Sequence, residues 1–390
     1  MRIALVINTS WNIWNFRRGL VRALRAAGHE VLAVAPPDAY SARLETELGC
    51  RYVPVLMENK GANPLRDLRL TRALLAIYRR ERPDVVLHFT IKPNIYGTLA
   101  ARLAGVPSLN NVSGLGTVFL VENLVSRVAR GLYRVAFRYP KKVFFQNADD
   151  QRLFIDLGLV AAARTGLLPG SGVDLARFRP QPGPEKLSGA PFVFLMVARI
   201  LYEKGIVEYF AAARQLRAEL GAGRVRCQLL GALDEAGGVG VPRATFEQWL
   251  AEAAGAVEYL GTSDDVAPHL HRADGVVLPS YREGTTKTLL EAAACGKPLV
   301  TTDVPGCRDT VPLNDGDDRD GRDDQHGRNG YRCRPRDAAD LAANMRSLAE
   351  LPPAELAAMG RASRALAETR FDENLVLNAY LKAIDEAVSR

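Results

Sequence analysis

Apolar residues fall along this chain in two alternating rhythms. Short runs such as RIALVI (residues 2–7), EVLAVAP (30–36), DVVLHF (84–89) and KVFF (142–145) are apolar at nearly every position, as strands buried on both faces are. Between them apolar residues recur every three or four positions, the period of an amphipathic helix. The pattern predicts a helix near residues 16–27, one near 39–48, the strand RYVPVL, and an arginine-rich helix ending near 81. After DVVLHF it predicts a helix near 96–104, the strand SLNNV, and a basic helix before KVFFQN. Alternation of this kind predicts a parallel sheet wrapped by helices, with ligand-facing loops at the carboxyl ends of its strands. Those loops are residues 8–15, 88–94 and 111–117.

Periodicity breaks at LPGSGVDLARFRP (168–180) and the Pro- and Gly-rich residues 181–190, which predicts a linker. A second set of strand and helix repeats follows: FVFLMVARILYEKG (192–205), RCQLLG, a helix near 245–254, VEYLG, and a helix near 266–272. The stretch PSYREGTTKTLLEAAACGKP (279–298) organises this half. It lies between the strands GVVLP (275–279) and PLVTTD (298–303), and its apolar residues Leu289, Leu290, Ala293 and Ala294 share one helical stripe. Gly296 and Pro298 supply the stop, so the helix is expected over 286–295. Residues 313–330 form a charged insertion that partly imitates a calcium loop. Arg319 at a ligand position and the lack of a closing Glu favour a solvated loop, and no metal is expected. Residues 337–390 read as helical.

With 390 residues, 47% hydrophobic and 24% charged, the chain is long enough for two cores. Its start reads as a strand and not as a leader, and nowhere do 18 apolar residues run together, so a spanning helix is not expected. Five scattered cysteines without a CxxC pair fit a reducing compartment. The net charge of +7 is unevenly placed: residues 1–190 carry 27 Lys and Arg against 14 Asp and Glu, net +13, and the rest 24 against 30, net −6. Arg127, Arg130, Arg134 and Arg138 recur at spacings of three and four, interleaved with Leu132, Val135, Ala136 and Phe137. Such a helix reads either as a membrane-surface element or as a solvated arginine face over a core. No nucleic-acid-binding motif accompanies the charge, and neither GxGxxG after a strand nor GxxxxGK[ST] occurs.

The chemistry concentrates at the front of the helix 286–295. Gly284 permits close backbone approach, and the first turn of a helix carries amides without internal acceptors, so the residues Gly284, Thr285 and Thr286 suit an anion. Glu291 lies about 7 Å further along the helix axis at about 1.5 Å per residue, roughly the step from a phosphate to ribose hydroxyls. Glu283 stands on the other side of the tip. Arg199 and Lys204 fall in the loop after FVFLMV, close to where phosphates would sit. The layout suits a nucleoside diphosphate that carries a sugar.

These residues resemble retaining glycosyltransferases of family 4, whose donor site has a Glu, seven residues, then a second Glu. The resemblance covers essentially the whole chain. It implies an α/β fold of the GT-B kind, two Rossmann-like doubly wound parallel-sheet domains facing a cleft. Residues 1–178 would be the acceptor-side domain, 179–370 the donor-binding domain, and 371–390 a helix crossing back to the first. By the same resemblance Glu283 would hold sugar hydroxyls, the amides of Gly284 to Thr286 the distal phosphate, Glu291 the ribose, and Arg199 and Lys204 the diphosphate charge. The catalytic set is then Glu283, Arg199 and Lys204. The loop TSWNIWNF stands where many members have a glycine-rich turn, and residues 111–117 lack the histidine that many carry. His88, Lys92, Asn94, Ser113, Gly114 and Gly116 are the candidates for the acceptor or cleft side. A core-facing His88 and a tight turn at the glycines are the competing readings.

The motifs KPNIYG, VARILYEKG, LPSYREG, EAAACGK and GCRD are similar to those of members that extend undecaprenyl-diphosphate-linked sugars. That similarity implies a UDP-sugar donor, an N-acetylhexosamine as the sugar moved, a lipid-linked saccharide acceptor, no metal cofactor, and a cytoplasmic enzyme peripheral on the inner face of the cell membrane. A soluble acceptor, a sugar-nucleotide epimerase and a non-catalytic sugar-nucleotide binder are the alternatives.

Overall fold

Two parallel sheets organise the chain. The structure is a computed structural model and describes residues 1–58, 63–115, 124–181, 189–233, 240–313 and 326–389. It divides into one unit of Met1–Ser171 with Glu373–Arg390 and a second of Gly172–Asp372.

The first sheet contains β1 (Arg2–Val6), β2 (Glu30–Ala35), β3 (Arg51–Pro54), β4 (Val85–Phe89), β5 (Ser108–Val112), β6 (Lys142–Phe145) and β7 (Thr165–Leu167). Their order is β3-β2-β1-β4-β5-β6-β7, every pair parallel. The unbroken apolar run of β1 is explained by burial on both faces: Ile3 and Leu5 enter one core layer, Ala4 and Val6 the other. In β5 the polar residues Ser108, Asn110 and Asn111 are buried as well.

The second sheet contains β8 (Phe192–Val197), β9 (Val225–Leu230), β10 (Val257–Tyr259), β11 (Gly275–Leu278), β12 (Leu299–Thr302), β13 (His326–Gly327) and β14 (Gly330–Cys333). Their order is β10-β9-β8-β11-β12-β14-β13, parallel except for the β13–β14 hairpin. Helix Lys287–Ala294 bridges β11 and β12, with Leu289, Leu290, Ala293 and Ala294 in the core.

Several elements differ from the sequence expectation. The loop expected over 8–15 contains a short helix, Ser10–Asn12, because the Thr9 hydroxyl caps it by accepting from the Asn12 amide at 3.0 Å. It continues through a π-helical turn, Ile13–Arg17, before helix Arg18–Ala26. A second π-helical turn, Pro93–Gly97, precedes helix Thr98–Ala104. Helix Ala148–Asp156, strand β7 and the β13–β14 hairpin had no periodic signal, being short or broken by polar residues. The expected boundaries at 178/179 and 370/371 fall instead after Ser171 and Asp372. Val173 donates to the Phe371 carbonyl at 2.8 Å, and Val173, Phe178 and Phe371 all belong to the second core, so the second unit claims them.

The last helix, Glu373–Val388, belongs to the first unit. Val376, Tyr380 and Ile384, four residues apart, form its buried stripe, and the Tyr380 ring packs on Phe89 and Phe144. Ile384 is fully buried. Ile384→Ala is expected to destabilise the first unit by about 2–4 kcal/mol, read as a lower urea midpoint in the fluorescence of Trp11 and Trp14 in a Trp249→Phe background. An unchanged midpoint would mean that the helix adds nothing to that core.

Candidate active site

In the second unit β8 has β9 on one side and β11 on the other. The chain leaves β8 in one direction, builds β9 and β10, and returns across the sheet to β11. The carboxyl ends of β8 and β11 therefore frame a topological switch point, where open α/β sheets take ligands. Arg199 and the turn Tyr202–Lys204 follow β8, and residues 279–286 follow β11.

These two loops are locked together through their backbones. Gly205 adopts φ +72°, and a Cβ there would overlap the Pro279 carbonyl. The Tyr281 amide donates to the Glu203 carbonyl at 2.9 Å. Gly306 supports the same loop from the β12 side: it adopts φ +78°, and a Cβ would lie 2.5 Å from the Glu283 carbonyl oxygen. The Glu283 amide donates to the Pro305 carbonyl at 3.2 Å, and the Thr302 hydroxyl donates to the Ser280 carbonyl.

The result is a direct ion pair between Lys204 Nζ and Glu283 Oε1, and the Ser280 hydroxyl donates to the same oxygen at 2.7 Å. The two charged side chains are 18% and 14% exposed, so the pair lies at a rim that a polar ligand can reach. Arg199, on the loop after the same strand, is exposed. Tyr281 donates its hydroxyl to Glu208 at 2.8 Å, while burial and that carboxylate hold its own pKa well above the usual phenol range.

Thr286 caps helix Lys287–Ala294 in an extended conformation, but its side chain makes no capping bond. Its hydroxyl is buried and has no hydrogen-bond partner among the described residues. Buried hydroxyls are rarely left so, and at a helix N-terminus the group can donate to an anion. Gly284 is buried and Thr285 half-buried, and the Thr285 hydroxyl donates to the Gly284 carbonyl at 2.9 Å. Glu291 does not join the Lys204–Glu283 pair. It is 7% exposed, and its nearest recorded cation is Lys287, with Nζ at 3.6 Å. Burial raises its pKa above the ordinary carboxylate value against the opposing pull of Lys287 and Arg177.

The candidates of the first unit fare differently. His88 is fully enclosed: Tyr78 Oη lies 3.0 Å from Nε2 and Asn110 Oδ1 3.1 Å from Nδ1, and burial lowers its pKa to about 4. The placement of His88 on the cleft side is therefore corrected to a neutral core histidine. Gly97 is required beside it, since a Cβ would sit 2.5 Å from Nε2. Lys92 is held by Asp67 at 2.9 Å, which also accepts from the Tyr96 hydroxyl at 2.9 Å. Asn94 is buried, donating to the Asn111 carbonyl at 2.8 Å. Ser113 is half-buried and donates to Asn111 Oδ1 at 2.7 Å; Gly114 adopts φ +137°. Gly116 and the calcium-like stretch around Arg319 lie outside the described residues.

Sequence reasoning missed Ser280, Thr302 and the packing of Gly306. The first two lie at a strand end and within a strand, without periodic signal. Gly306 was visible within GCRD, but the contact that needs it joins residues 23 positions apart.

The pattern of the first unit is matched by the model "Glycosyl transferase 4-like domain" over residues 13–170, and that of the second by "Glycosyl transferases group 1" over residues 191–350. The chain belongs to glycosyltransferase family 4. It is 28% identical over 404 residues to the Campylobacter jejuni protein named N,N'-diacetylbacillosaminyl-diphospho-undecaprenol alpha-1,3-N-acetylgalactosaminyltransferase, covering 100% of this chain and 99% of that one. It is 26% identical over 282 residues to an Escherichia coli UDP-Gal:alpha-D-GlcNAc-diphosphoundecaprenol alpha-1,3-galactosyltransferase, covering 67% and 68%. Among solved structures, a glycosyltransferase from Rickettsia africae superposes with a TM-score of 0.79 at 17% identity over 100% of this chain and 99% of that one. Anabaena Alr3699/HepE in complex with UDP and glucose gives 0.78 at 19% identity over 99% and 100%. The fold is GT-B, and the chain is a glycosyltransferase.

The Gly306 contact yields a direct test. Gly306→Ala is expected to cost about 1–3 kcal/mol, since it combines a strained φ with a backbone clash, and to lower the urea midpoint of the second unit followed by Trp249 fluorescence in a Trp11→Phe, Trp14→Phe background. A midpoint equal to the parent's would show that Gly306 does not hold the Glu283 loop.

Proposed function

We propose that this family 4 enzyme moves an N-acetylhexosamine from a UDP-sugar onto an undecaprenyl-diphosphate-linked saccharide, with retention of the anomeric configuration. The observation that carries the reading is the meeting of Lys204, Glu283 and the unpartnered Thr286 hydroxyl around the switch point of the second sheet. A cation and a helix N-terminus suit a diphosphate, and a carboxylate at the rim suits sugar hydroxyls. Full-length similarity to the C. jejuni enzyme supports the lipid-linked acceptor and the N-acetylhexosamine, and the UDP held by the Anabaena neighbour supports the nucleotide.

During transfer, negative charge grows on the leaving diphosphate while the sugar becomes oxocarbenium-like. Lys204, Arg199 and the amides of Gly284 to Thr286 stabilise the first, and Glu283 orients the second. Glu291 accepts from ribose hydroxyls. The incoming hydroxyl attacks the face that the diphosphate leaves and gives its proton to the departing phosphate oxygen, so no covalent protein nucleophile takes part. Because protein cations take up the leaving-group charge, the reaction needs no metal.

The decisive assay screens radiolabelled nucleotide sugars against undecaprenyl-diphosphate-linked saccharides and follows UDP release. Turnover is expected only with both present, and the same rate after EDTA dialysis. Lys204→Ala and Glu283→Gln are expected to lower kcat by about 10²–10³. Donor conversion without acceptor would favour an epimerase, turnover with a lipid-free sugar a soluble acceptor, and an EDTA loss reversed by magnesium would remove the metal-free account.

We further assign an anionic membrane surface as a partner, in keeping with a place at the inner face of the cell membrane. No helix among the described residues is long and apolar enough to cross a membrane. On helix Leu124–Ala136 and the turn after it, exposed Arg127, Arg134 and Arg138 alternate with exposed Val128, Val135 and Tyr139. Ala136 and Phe137, by contrast, are core residues. Cations with apolar neighbours on one open face fit a lipid surface better than a merely solvated helix. Binding to phosphatidylglycerol-containing vesicles is expected to weaken as salt is raised from about 0.1 M to 1 M, where the screening length shortens from about 10 to 3 Å, and to be lost in R127E/R134E/R138E with unchanged circular dichroism. Equal binding by that variant would remove the assignment.

A further inference from the structure

Arg17 is the least explained charge in the first unit. It closes the π-helical turn Ile13–Arg17 after β1, and it is 4% exposed. Its contacts are a long hydrogen bond to the Ser113 hydroxyl, 3.4 Å from Nη2, and the face of the Phe89 ring, 4.4 Å from the guanidinium carbon. Its Nε is buried with no acceptor among the described residues. Among the described residues no carboxylate lies within ion-pairing distance of it. Burial alone pulls its pKa down, yet a guanidinium does not give up its proton in proteins. A buried, permanently charged group without a counterion is costly in any fold.

What surrounds it is prepared for a sugar phosphate. Ser113 donates onward to Asn111 Oδ1 at 2.7 Å, Asn111 Nδ2 donates to Tyr380 Oη at 2.9 Å, and Asn94 Nδ2 donates to the Asn111 carbonyl at 2.8 Å. This one connected network ends on a second unsatisfied atom, the buried Asn94 Oδ1, an acceptor without a donor. A cation lacking an anion and a carbonyl lacking a hydroxyl are the complements of a phosphate and a sugar. Both π-helical turns among the described residues, a geometry often found at functional sites, lie here: one ends in Arg17 and the other contains Asn94. They follow β1 and β4, neighbouring strands at the switch point of the first sheet. Ser113, which Arg17 touches, is half-buried, so the network reaches toward solvent through its hydroxyl.

We propose that Arg17 and Ser113 form the seat of a phosphate belonging to the acceptor's diphosphate, with Asn94 Oδ1 accepting from a hydroxyl of the attached sugar. This rests on the reading of a diphosphate-linked acceptor given above. The donor also carries a diphosphate, and the experiment separates the two. Kinetics are measured on the full chain with UDP-N-acetylhexosamine and a water-soluble short-prenyl-diphosphate-linked sugar. Arg17→Met is expected to raise the acceptor KM about ten- to a hundredfold, the worth of one charged hydrogen bond, while the donor KM moves less than about twofold. Arg17→Lys keeps the charge and is expected to fall between the two. An unchanged acceptor KM, or a shift in the donor KM alone, overturns the proposal.

A second readout does not depend on turnover. In a Lys204→Ala, Arg199→Ala background, which removes both donor-side cations, inorganic pyrophosphate is expected to raise the melting temperature, and adding Arg17→Met is expected to abolish that rise. Arg17→Met by itself is expected to melt no lower than the parent, because an uncompensated buried charge is replaced by an apolar chain of similar length. Equal pyrophosphate shifts with and without Arg17 overturn the proposal even if no acceptor is ever turned over. Conversely, a lost shift in an enzyme that releases no UDP would separate failure of the proposed reaction from failure of this site.

Discussion

The Lys204 ammonium reaches the Glu283 carboxylate because two loops from neighbouring strands touch backbone to backbone. Ordinary side chains would keep such loops apart. Gly205 removes the Cβ that would strike the Pro279 carbonyl, and Gly306 removes the one that would strike the Glu283 carbonyl. Both adopt positive φ, so the chain can turn sharply at the point of approach. The loop carrying Glu283 is thereby clamped between the β8 and β12 sides, and Ser280, held through its carbonyl by Thr302, adds a donor to the same carboxylate oxygen. The rest of the second unit serves this clamp: β8 pairs with β11 and β11 with β12, so the three loops leave the sheet side by side.

Burial sorts the charged and polar groups of the molecule into three kinds. His88 is sealed in the core with partners on both ring nitrogens, and it stays neutral. Glu291 is nearly sealed but keeps Lys287 within 3.6 Å, so its raised pKa reflects desolvation only partly offset by a cation. Arg17 has no carboxylate partner among the described residues, and Tyr380 only partly opposes the downward pull of burial on its pKa. The sequence treats these three alike, as a polar residue near a strand end or inside a helix. What separates them is the polarity of the partners that the fold delivers, and only the last kind calls for a ligand.

The two-sheet architecture was legible because β1, β2, β4, β8 and β11 are apolar at nearly every position and helices separate them, a pattern with few folded solutions. The place of Glu283 was legible for a related reason: Glu283, Gly284 and the apolar stripe after them are contiguous, so local geometry alone puts the carboxylate beside the tip of helix Lys287–Ala294. The pairing of Glu283 with Lys204 depends on a contact across 79 positions and on Gly205, which no local pattern encodes. His88 misled because a histidine at the end of a central strand looks available until Tyr78 and Asn110 arrive from elsewhere. Arg17 was hidden in a run of basic helical residues, where its neighbour Arg18 is only half-buried.

The contrast between the two units bears on how such an enzyme divides its work. In the proposed donor site Lys204 is already paired with Glu283, so an arriving diphosphate would have to compete with a carboxylate for it. On that proposal the same competition would give the carboxylate up to sugar hydroxyls, tying the two halves of a nucleotide sugar to one event: a bare nucleotide would take the lysine and leave Glu283 unpaired at a partly buried rim. An intact donor supplies both substitutes at once. A site of this design discriminates by requiring that every group it separates find a new partner, since the group left unpaired costs more than the pair was worth.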